Sequence, residues 1–197
     1  MVQVAIGWFP SLFFANLYGI VVLAALLSDE IVPHLMGGRG ISFGGGRDRG
    51  SFIFIYLSSL VGFGMGLYFR YQNIGVVPFW IQGLALVFLI VGTIIREWAI
   101  VLLGIFFSRT VKIEQGHRLI TDGPYHWFRH PAYTGMLIMD TSIVLGLGTW
   151  AGALFMFIIM LLPTLYRIRV EEKVLLETFG DEYRAYMQRS WRLFPLC

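Results

Sequence analysis

The residues able to do chemistry in this sequence fall into three short stretches. The densest is 116–135, GHRLITDGPYHWFRHPAYTG, where His117, Tyr125, His126, Arg129, His130 and Tyr133 gather around two prolines. Thr121-Asp122-Gly123-Pro124 reads as a turn. His130 precedes a proline and is pushed towards extended backbone, while Pro131 suits the first turn of a helix. Such a helix start presents unpaired N–H groups and the positive end of a dipole, a seat for an anion. An interfacial belt of Tyr, Trp and Arg accounts well for Trp127 and Phe128, less well for the ordered Gly-Pro-Tyr and Arg-His-Pro. The second stretch is Arg96-Glu97, set in a long apolar run. A cation there either clamps an anion at the membrane–water boundary or snorkels and pairs locally. The third is 167–186, RIRVEEKVLLETFGDEYRAY. At about 100° per residue, Ile168, Leu175, Phe179, Tyr183 and Tyr186 line one helical face and Lys173, Glu177, Asp181 and Arg184 lie opposite. Glu172 falls inside the apolar stripe and Glu171 at its edge, four residues after Arg167. Carboxylates so placed are paired, as in an Arg167–Glu171 helix pair, or bind something.

These stretches need a scaffold, and the composition names it. Of 197 residues 57% are apolar and only 14% charged, with a mean hydropathy of +0.71. A soluble domain carries about 25% charged residues, so the chain is read as an integral membrane protein. Five apolar runs are long enough to cross: Trp8 to Leu27, Ser51 to Phe69, Pro78 to Phe107, Ala132 to Leu147, and Thr149 to Tyr166. The third, at 1.5 Å per residue, is about 45 Å of helix, and Arg96 lies about 27 Å along it, at the inner hydrocarbon edge. The last two are joined only by Gly148, which forces an antiparallel hairpin. With the amino terminus outside, segments 28–50, 108–131 and 167–197 hold 13 Lys/Arg against Arg70 alone on the outer side. That asymmetry places the carboxyl terminus and the polar stretches in the cytoplasm. The expected fold is all-α, five spans followed by a cytoplasmic amphipathic helix. Residues 1–91 carry the first helices and 92–197 the chemistry.

Other readings weaken on inspection. Segment 37–50 has seven glycines in fourteen residues but no Gly-Lys-Ser/Thr ending, and reads as a flexible connector. His117, His126 and His130 come without a cysteine partner. His126 and His130 share a face only on a helix, which Pro131 disfavours, so no metal site is expected. A net charge of +3 gives no reason to expect nucleic acid. Gly62 and Gly66 form a small-xxx-small pair, serving this chain or a second copy. Asp140, nine residues into the fourth span, is expected to hydrogen-bond to a neighbouring helix.

The run Gly-Pro-Tyr…Arg-His-Pro-x-Tyr-x-Gly, followed after two short spans by Arg-x-x-x-Glu-Glu, resembles the isoprenylcysteine carboxyl methyltransferase family. The resemblance covers roughly residues 92–194 and extends to the related phospholipid methyltransferases. It implies S-adenosylmethionine as cofactor, with S-adenosylhomocysteine as product, held without a Rossmann fold. No G-x-G-x-x-G between a strand and a helix is present. Family cofactor contacts carry over onto His117, Arg118, Leu119, Ile120, Tyr125, His130, Pro131, Ala132, Tyr133 and Glu171, with Glu172 as the second acid. Catalytic and substrate contacts carry over onto Arg96 and Arg167. The implied acceptor is a prenylated cysteine, reaching the site from the bilayer. The alternatives are a phospholipid N-methyltransferase, with Glu172 or His126 deprotonating an amine, and an NADPH-dependent sterol or polyprenol reductase.

Overall fold

The computed structural model describes residues 7–36, 51–107 and 119–195. Among the described residues six α-helices make the fold: α1 Leu12–Leu35, α2 Ser51–Tyr71, α3 Phe79–Leu103, α4 Pro131–Gly146, α5 Trp150–Phe179 and α6 Asp181–Arg189. Short 3-10 turns occupy Gly104–Phe106 and Gly123–His126, and among the described residues there is no strand, only two isolated bridges. The all-helical expectation holds. Among the described residues four helices, α1, α2, α3 and α5, are long and apolar enough to cross a membrane. Their outward faces are lined with exposed Leu, Ile, Val, Phe and Trp, as lipid contact requires. The chain is an integral membrane protein. The connector expected over 37–50 lies outside the described residues.

Helix α4 is the exception that organises the rest. Its sixteen residues span about 24 Å, and twelve of them are buried, from Pro131 to Gly146. A helix apolar on every side must be covered on every side, and here α3, α5, α2 and Tyr18 of α1 cover it. Helix α3 approaches it most closely. A Cβ on Gly135 would lie 2.6 Å from both the Arg96 N and the Gly92 O, both backbone atoms that cannot swing aside. Gly135→Ala is therefore expected to cost about 1–3 kcal/mol by overpacking. That lowers the thermal midpoint in detergent by about 2–4 °C per kcal/mol. The Gly62/Gly66 pair is used within the chain: Gly62 faces Met156 and Ile159 of α5, and a Cβ on Gly66 would meet Val144 of α4 at 2.5 Å.

Opposite the polar stretches, Arg70 is buried at the end of α4, its Nε donating to the Leu147 carbonyl at 3.1 Å. A cation there satisfies an orphan carbonyl and the negative end of the helix dipole. Gly148, at φ 96, makes the expected tight join to α5.

Two boundaries differ from expectation. Helix α1 runs to Leu35 rather than stopping at Leu27, carrying Ser28, Asp29 and Glu30 on its last turns. The stretch 167–186 is not a separate helix. Nothing between Tyr166 and Phe179 interrupts hydrogen bonding, so α5 continues through both it and Pro163 to Phe179. The break falls at Gly180, whose φ of 53 favours glycine, and α6 follows. The expected burial pattern survives this: Ile168, Glu172, Tyr183 and Tyr186 are buried, and Lys173, Glu177, Asp181 and Arg184 exposed.

Candidate active site

The site forms where the first turn of α4 meets α3 on one side and the far end of α5 on the other. Pro131 takes the first helical position, as the Arg-His-Pro spacing predicts, and His130 caps α4 with φ −128 and ψ 57, short of the extended backbone expected of it. The turn before it is pinned from the carboxyl terminus. Tyr186 Oη donates to the Tyr125 carbonyl at 2.5 Å, Arg129 N to the Trp191 carbonyl at 2.7 Å, and His130 N to the Arg192 carbonyl at 3.2 Å. Thr134 Oγ1 donates to the Leu193 carbonyl at 2.7 Å. Residues 190–193 thus act as a clasp over the loop and the helix start.

Two arginines flank that helix start. On the α3 side, buried Arg96 donates from Nη1 to the Ala132 carbonyl at 3.1 Å and pairs through Nε with Asp29 of α1. On the α5 side, Arg167 Nε donates to Tyr133 Oη at 2.5 Å, and the same hydroxyl donates to Glu171 Oε1 at 2.5 Å. Arg167 and Glu171 also face each other directly at 3.3 Å, the expected helix pair. The two guanidiniums thus reach the same helical turn from different helices, Arg96 from α3 and Arg167 from α5. Ile120, Tyr125 and Ala132 share an apolar cluster with Ala99 of α3.

The paired acids divide the work. Glu171 is bound by Tyr133 and Arg167 and lies 3.5 Å from His130 Nδ1. Glu172 is held by Arg129 Nε at 3.0 Å and Arg192 Nη2 at 2.7 Å, locking α5 to the loop and the clasp. His130 Nε2 is 3.6 Å from Glu172 Oε1 and has no hydrogen-bond partner among the described residues. A buried ring nitrogen without a hydrogen-bond partner, facing Glu172, suits a polar ligand.

The helix start itself offers less than expected. Tyr133 N and Thr134 N both turn back to the His130 carbonyl, at 3.0 and 3.1 Å, and Pro131 has no N–H. The seat for an anion narrows to the neighbourhood of the Ala132 amide. Leu119 and Ile120 lie half-buried at the loop entrance, and His117 and Arg118 lie outside the described residues. Sequence reasoning missed Asp29 and Arg192. The first sits beyond the apolar run that marked the span, and no spacing pattern signals the second.

Burial alone would lower the His130 imidazole, but Glu171 and Glu172 outweigh it and hold it above its ordinary value. A raised native pKa stabilises fully below the unfolded value of about 6.5, and the contribution fades as pH rises through the native one. The stability of wild type over His130→Gln, from thermal midpoints between pH 5 and 9, is expected to shrink as the pH climbs above about 6.5.

With this geometry in place, relatives can be compared. Residues 84–177 match the model of the Isoprenylcysteine carboxyl methyltransferase (ICMT) family. The chain is 35% identical over 112 residues to protein-S-isoprenylcysteine O-methyltransferase B of Arabidopsis thaliana, covering 56% of this chain and 57% of that one. It is 36% identical over 117 residues to the Schizosaccharomyces pombe protein-S-isoprenylcysteine O-methyltransferase, covering 58% and 50%. The chain thus spans about half the length of the curated relatives it matches. Its fold resembles the structure of the eukaryotic intramembrane Ras methyltransferase ICMT, with a TM-score of 0.66 and 24% identity over 93% of this chain and 66% of that one. The matched segment contains Arg96, the clasped loop, the α4 turn and the Arg167–Glu171 pair, so the likeness to the isoprenylcysteine carboxyl methyltransferase family falls on the candidate site itself.

Proposed function

We propose that the chain methylates the carboxylate of a prenylated cysteine, using S-adenosylmethionine, at the cytoplasmic face of its membrane. The observation that carries this is the pair of guanidiniums flanking one turn of α4, Arg96 through Ala132 and Arg167 through Tyr133. Two cations at a membrane edge suit an anionic acceptor. A guanidinium matches the two oxygens of a carboxylate. Such an acid is ionised at neutral pH, with a pKa of about 3.5, and needs no general base.

The alternative, an amine acceptor, needs a deprotonating group. Of the two candidates, Glu172 is occupied by Arg129 and Arg192, while His126 is exposed and packs edge-on against Trp127. Both arrangements favour the carboxylate.

The donor set fits the cofactor. Glu171 suits its amine or ribose, Ala132 and His130 its polar ends, and the cluster of Ile120, Tyr125 and Ala132 its apolar surface. When bound, S-adenosylmethionine supplies a methyl group activated by a neighbouring sulfonium. The Tyr133 ring, beside the Arg167 guanidinium, presents a face that attracts such a cation. Arg96 and Arg167 orient the acceptor carboxylate without holding it so tightly that it ceases to be a nucleophile. Alignment at near-attack distance is worth about 7–11 kcal/mol.

In the membrane, α4 makes the fourth of five crossings in chain order, short because neighbouring helices rather than lipid surround it. Five crossings put the termini on opposite sides, and the basic residues put the carboxyl terminus, α6 and the site in the cytoplasm. The division between 1–91 and 92–197 runs through α3, so it separates tasks rather than folding units.

The test is methyl transfer from labelled S-adenosylmethionine to N-acetyl-S-farnesylcysteine by the purified chain in liposomes, with calorimetry of S-adenosylhomocysteine and NADPH in detergent. Ester formation with micromolar S-adenosylhomocysteine binding is the expected result. Binding of NADPH alone would assign a reductase instead.

A further inference from the structure

At the end of the bundle opposite the candidate site, one charge lacks a counter-ion. Arg70, in the last turn of α2, is 8% exposed. Its Nε donates to the Leu147 carbonyl at 3.1 Å and its Nη1 to Asn73 Oδ1 at 2.9 Å, and its guanidinium carbon lies 5.4 Å from the centre of the Trp8 ring. All three partners are uncharged. No carboxylate pairs with Arg70 among the described residues, and the sequence gives the reason: residues 1–28, 49–96 and 141–170 contain no Asp or Glu. Those segments supply the helix ends and turns on this side of the bundle. Along α4 the first acid back from Leu147 is buried Asp140, about 10 Å away along the axis. Burying a cation without an anion is costly. Carbonyl and amide dipoles offset part of that cost, but only an anion cancels the charge.

The same cluster holds a second unspent group. Gln82, 3% exposed, donates from Nε2 to the Trp8 carbonyl at 2.8 Å, while its Oε1 is buried with no hydrogen-bond partner among the described residues. A Cβ on Gly148 would lie 2.4 Å from Gln82 Nε2 and 3.1 Å from Arg70 Nε, so the two side chains meet over that glycine. The surroundings orient the guanidinium without neutralising it. Asn73 adopts φ 57, a left-handed conformation that Asn tolerates, and its N–H returns to the Arg70 carbonyl at 3.1 Å. With Nε and one Nη1 hydrogen engaged, the remaining N–H groups form the end-on fork that two oxygens of one anion match. Tyr71, Trp80 and Trp150 stand exposed at the helix ends on this side. Exposed Tyr and Trp at helix ends mark the headgroup layer. The anion offered at that depth is a lipid phosphate.

We propose that Arg70 binds the phosphate of a phospholipid headgroup in the leaflet facing away from the candidate site. The free fork of its guanidinium takes two phosphate oxygens, and the lipid supplies the counter-ion that the chain omits. Arg70 already joins α2 to the last carbonyls of α4, so a bound headgroup strengthens that junction and stabilises the fold from the side remote from the candidate site. Nothing in this site depends on which group the opposite end methylates.

The test is the thermal midpoint of the full chain, delipidated in maltoside detergent, as dihexanoyl phosphatidylethanolamine, dihexanoylglycerol or inorganic phosphate is added. At about a hundredfold excess over its Kd the phospholipid is expected to raise the midpoint by about 5–11 °C. Dihexanoylglycerol has the same tails without the phosphate, and inorganic phosphate has the charge without the tails; each is expected to raise it by less than about 2 °C. In Arg70→Met, which keeps an apolar stem and loses the fork, the phospholipid-dependent rise is expected to disappear. Should that variant fail to fold, Gln82→Glu carries the expectation, because a carboxylate beside Arg70 supplies the counter-ion from within and removes the need for a lipid. A rise that survives Arg70→Met, or Gln82→Glu where only that variant folds, overturns the site. An equal rise with dihexanoylglycerol does the same, on wild-type protein alone and whatever the variants do. An equal rise with inorganic phosphate overturns the headgroup as the source of the anion.

Discussion

Arg96→Ala is expected to reduce kcat/KM for a prenylated cysteine by about 30- to 4,000-fold, the cost of truncating one partner of a buried, hydrogen-bonded charge pair. S-adenosylhomocysteine affinity should stay within a few-fold, because Arg96 touches the α4 turn through a backbone carbonyl rather than through the Tyr133–Glu171 side. The substitution also removes the guanidinium that pairs with Asp29. Leaving a buried charge unpaired costs about 3–5 kcal/mol of stability, so lost turnover alone would be ambiguous. Arg96→Lys resolves this. It keeps the charge and the neighbouring carboxylates' partner but gives up the planar fork. Turnover should still fall, by about 100-fold for a misplaced carboxylate, in protein that binds cofactor normally. Wild-type turnover in Arg96→Ala would remove Arg96 from the mechanism.

The second large effect is expected at Glu171. Its carboxylate accepts from Tyr133 Oη and faces Arg167 and His130, and its side chain is 20% exposed, the open acid of the pair. Glu171→Gln keeps the shape and removes the charge. A charge-assisted hydrogen bond is worth about 1.5–3 kcal/mol, so calorimetry should show S-adenosylhomocysteine binding weakened by about 10- to 150-fold. Glu172→Gln should behave differently. It loosens the Arg129 and Arg192 contacts, lowering thermal stability while cofactor affinity changes little. Equal binding by Glu171→Gln and wild type would make Glu171 a structural hub. A collapse of binding only in Glu172→Gln would reverse the roles of the two acids.

Much of the architecture is written in local composition. Each crossing is a run of apolar residues about as long as a bilayer is thick, so α2 and α3 begin and end close to where hydropathy changes, while α1 continues two turns past it. Proline and glycine set the rest of the punctuation: Pro78 and Pro131 at helix starts, Gly148 at the hairpin, Gly180 at the end of α5. The alternation of buried and exposed positions from Ile168 to Tyr186 is legible for the same reason, because it follows from 100° per residue whatever lies opposite. What sequence alone could not set was the length of α5. A polar turn and an apolar turn propagate a helix equally well when no breaker intervenes.

The site divides along the same line. The residue types were legible: two arginines, a pair of adjacent acids, a histidine before a proline, a tyrosine one turn on. Their partners were not. Asp29 and Arg96 are 67 residues apart, Tyr133 and Glu171 are 38 apart, and Arg192 meets Glu172 only because the carboxyl-terminal clasp folds back over the loop. The tertiary structure decided which acid faces the helix start and which faces the clasp, since adjacent helical residues point about 100° apart and must find different neighbours. It decided too that Arg96 rests against a carboxylate of its own chain. Local sequence determines which groups can ionise or donate; only packing across helices determines which of them spend their charge on one another and which keep it for a ligand.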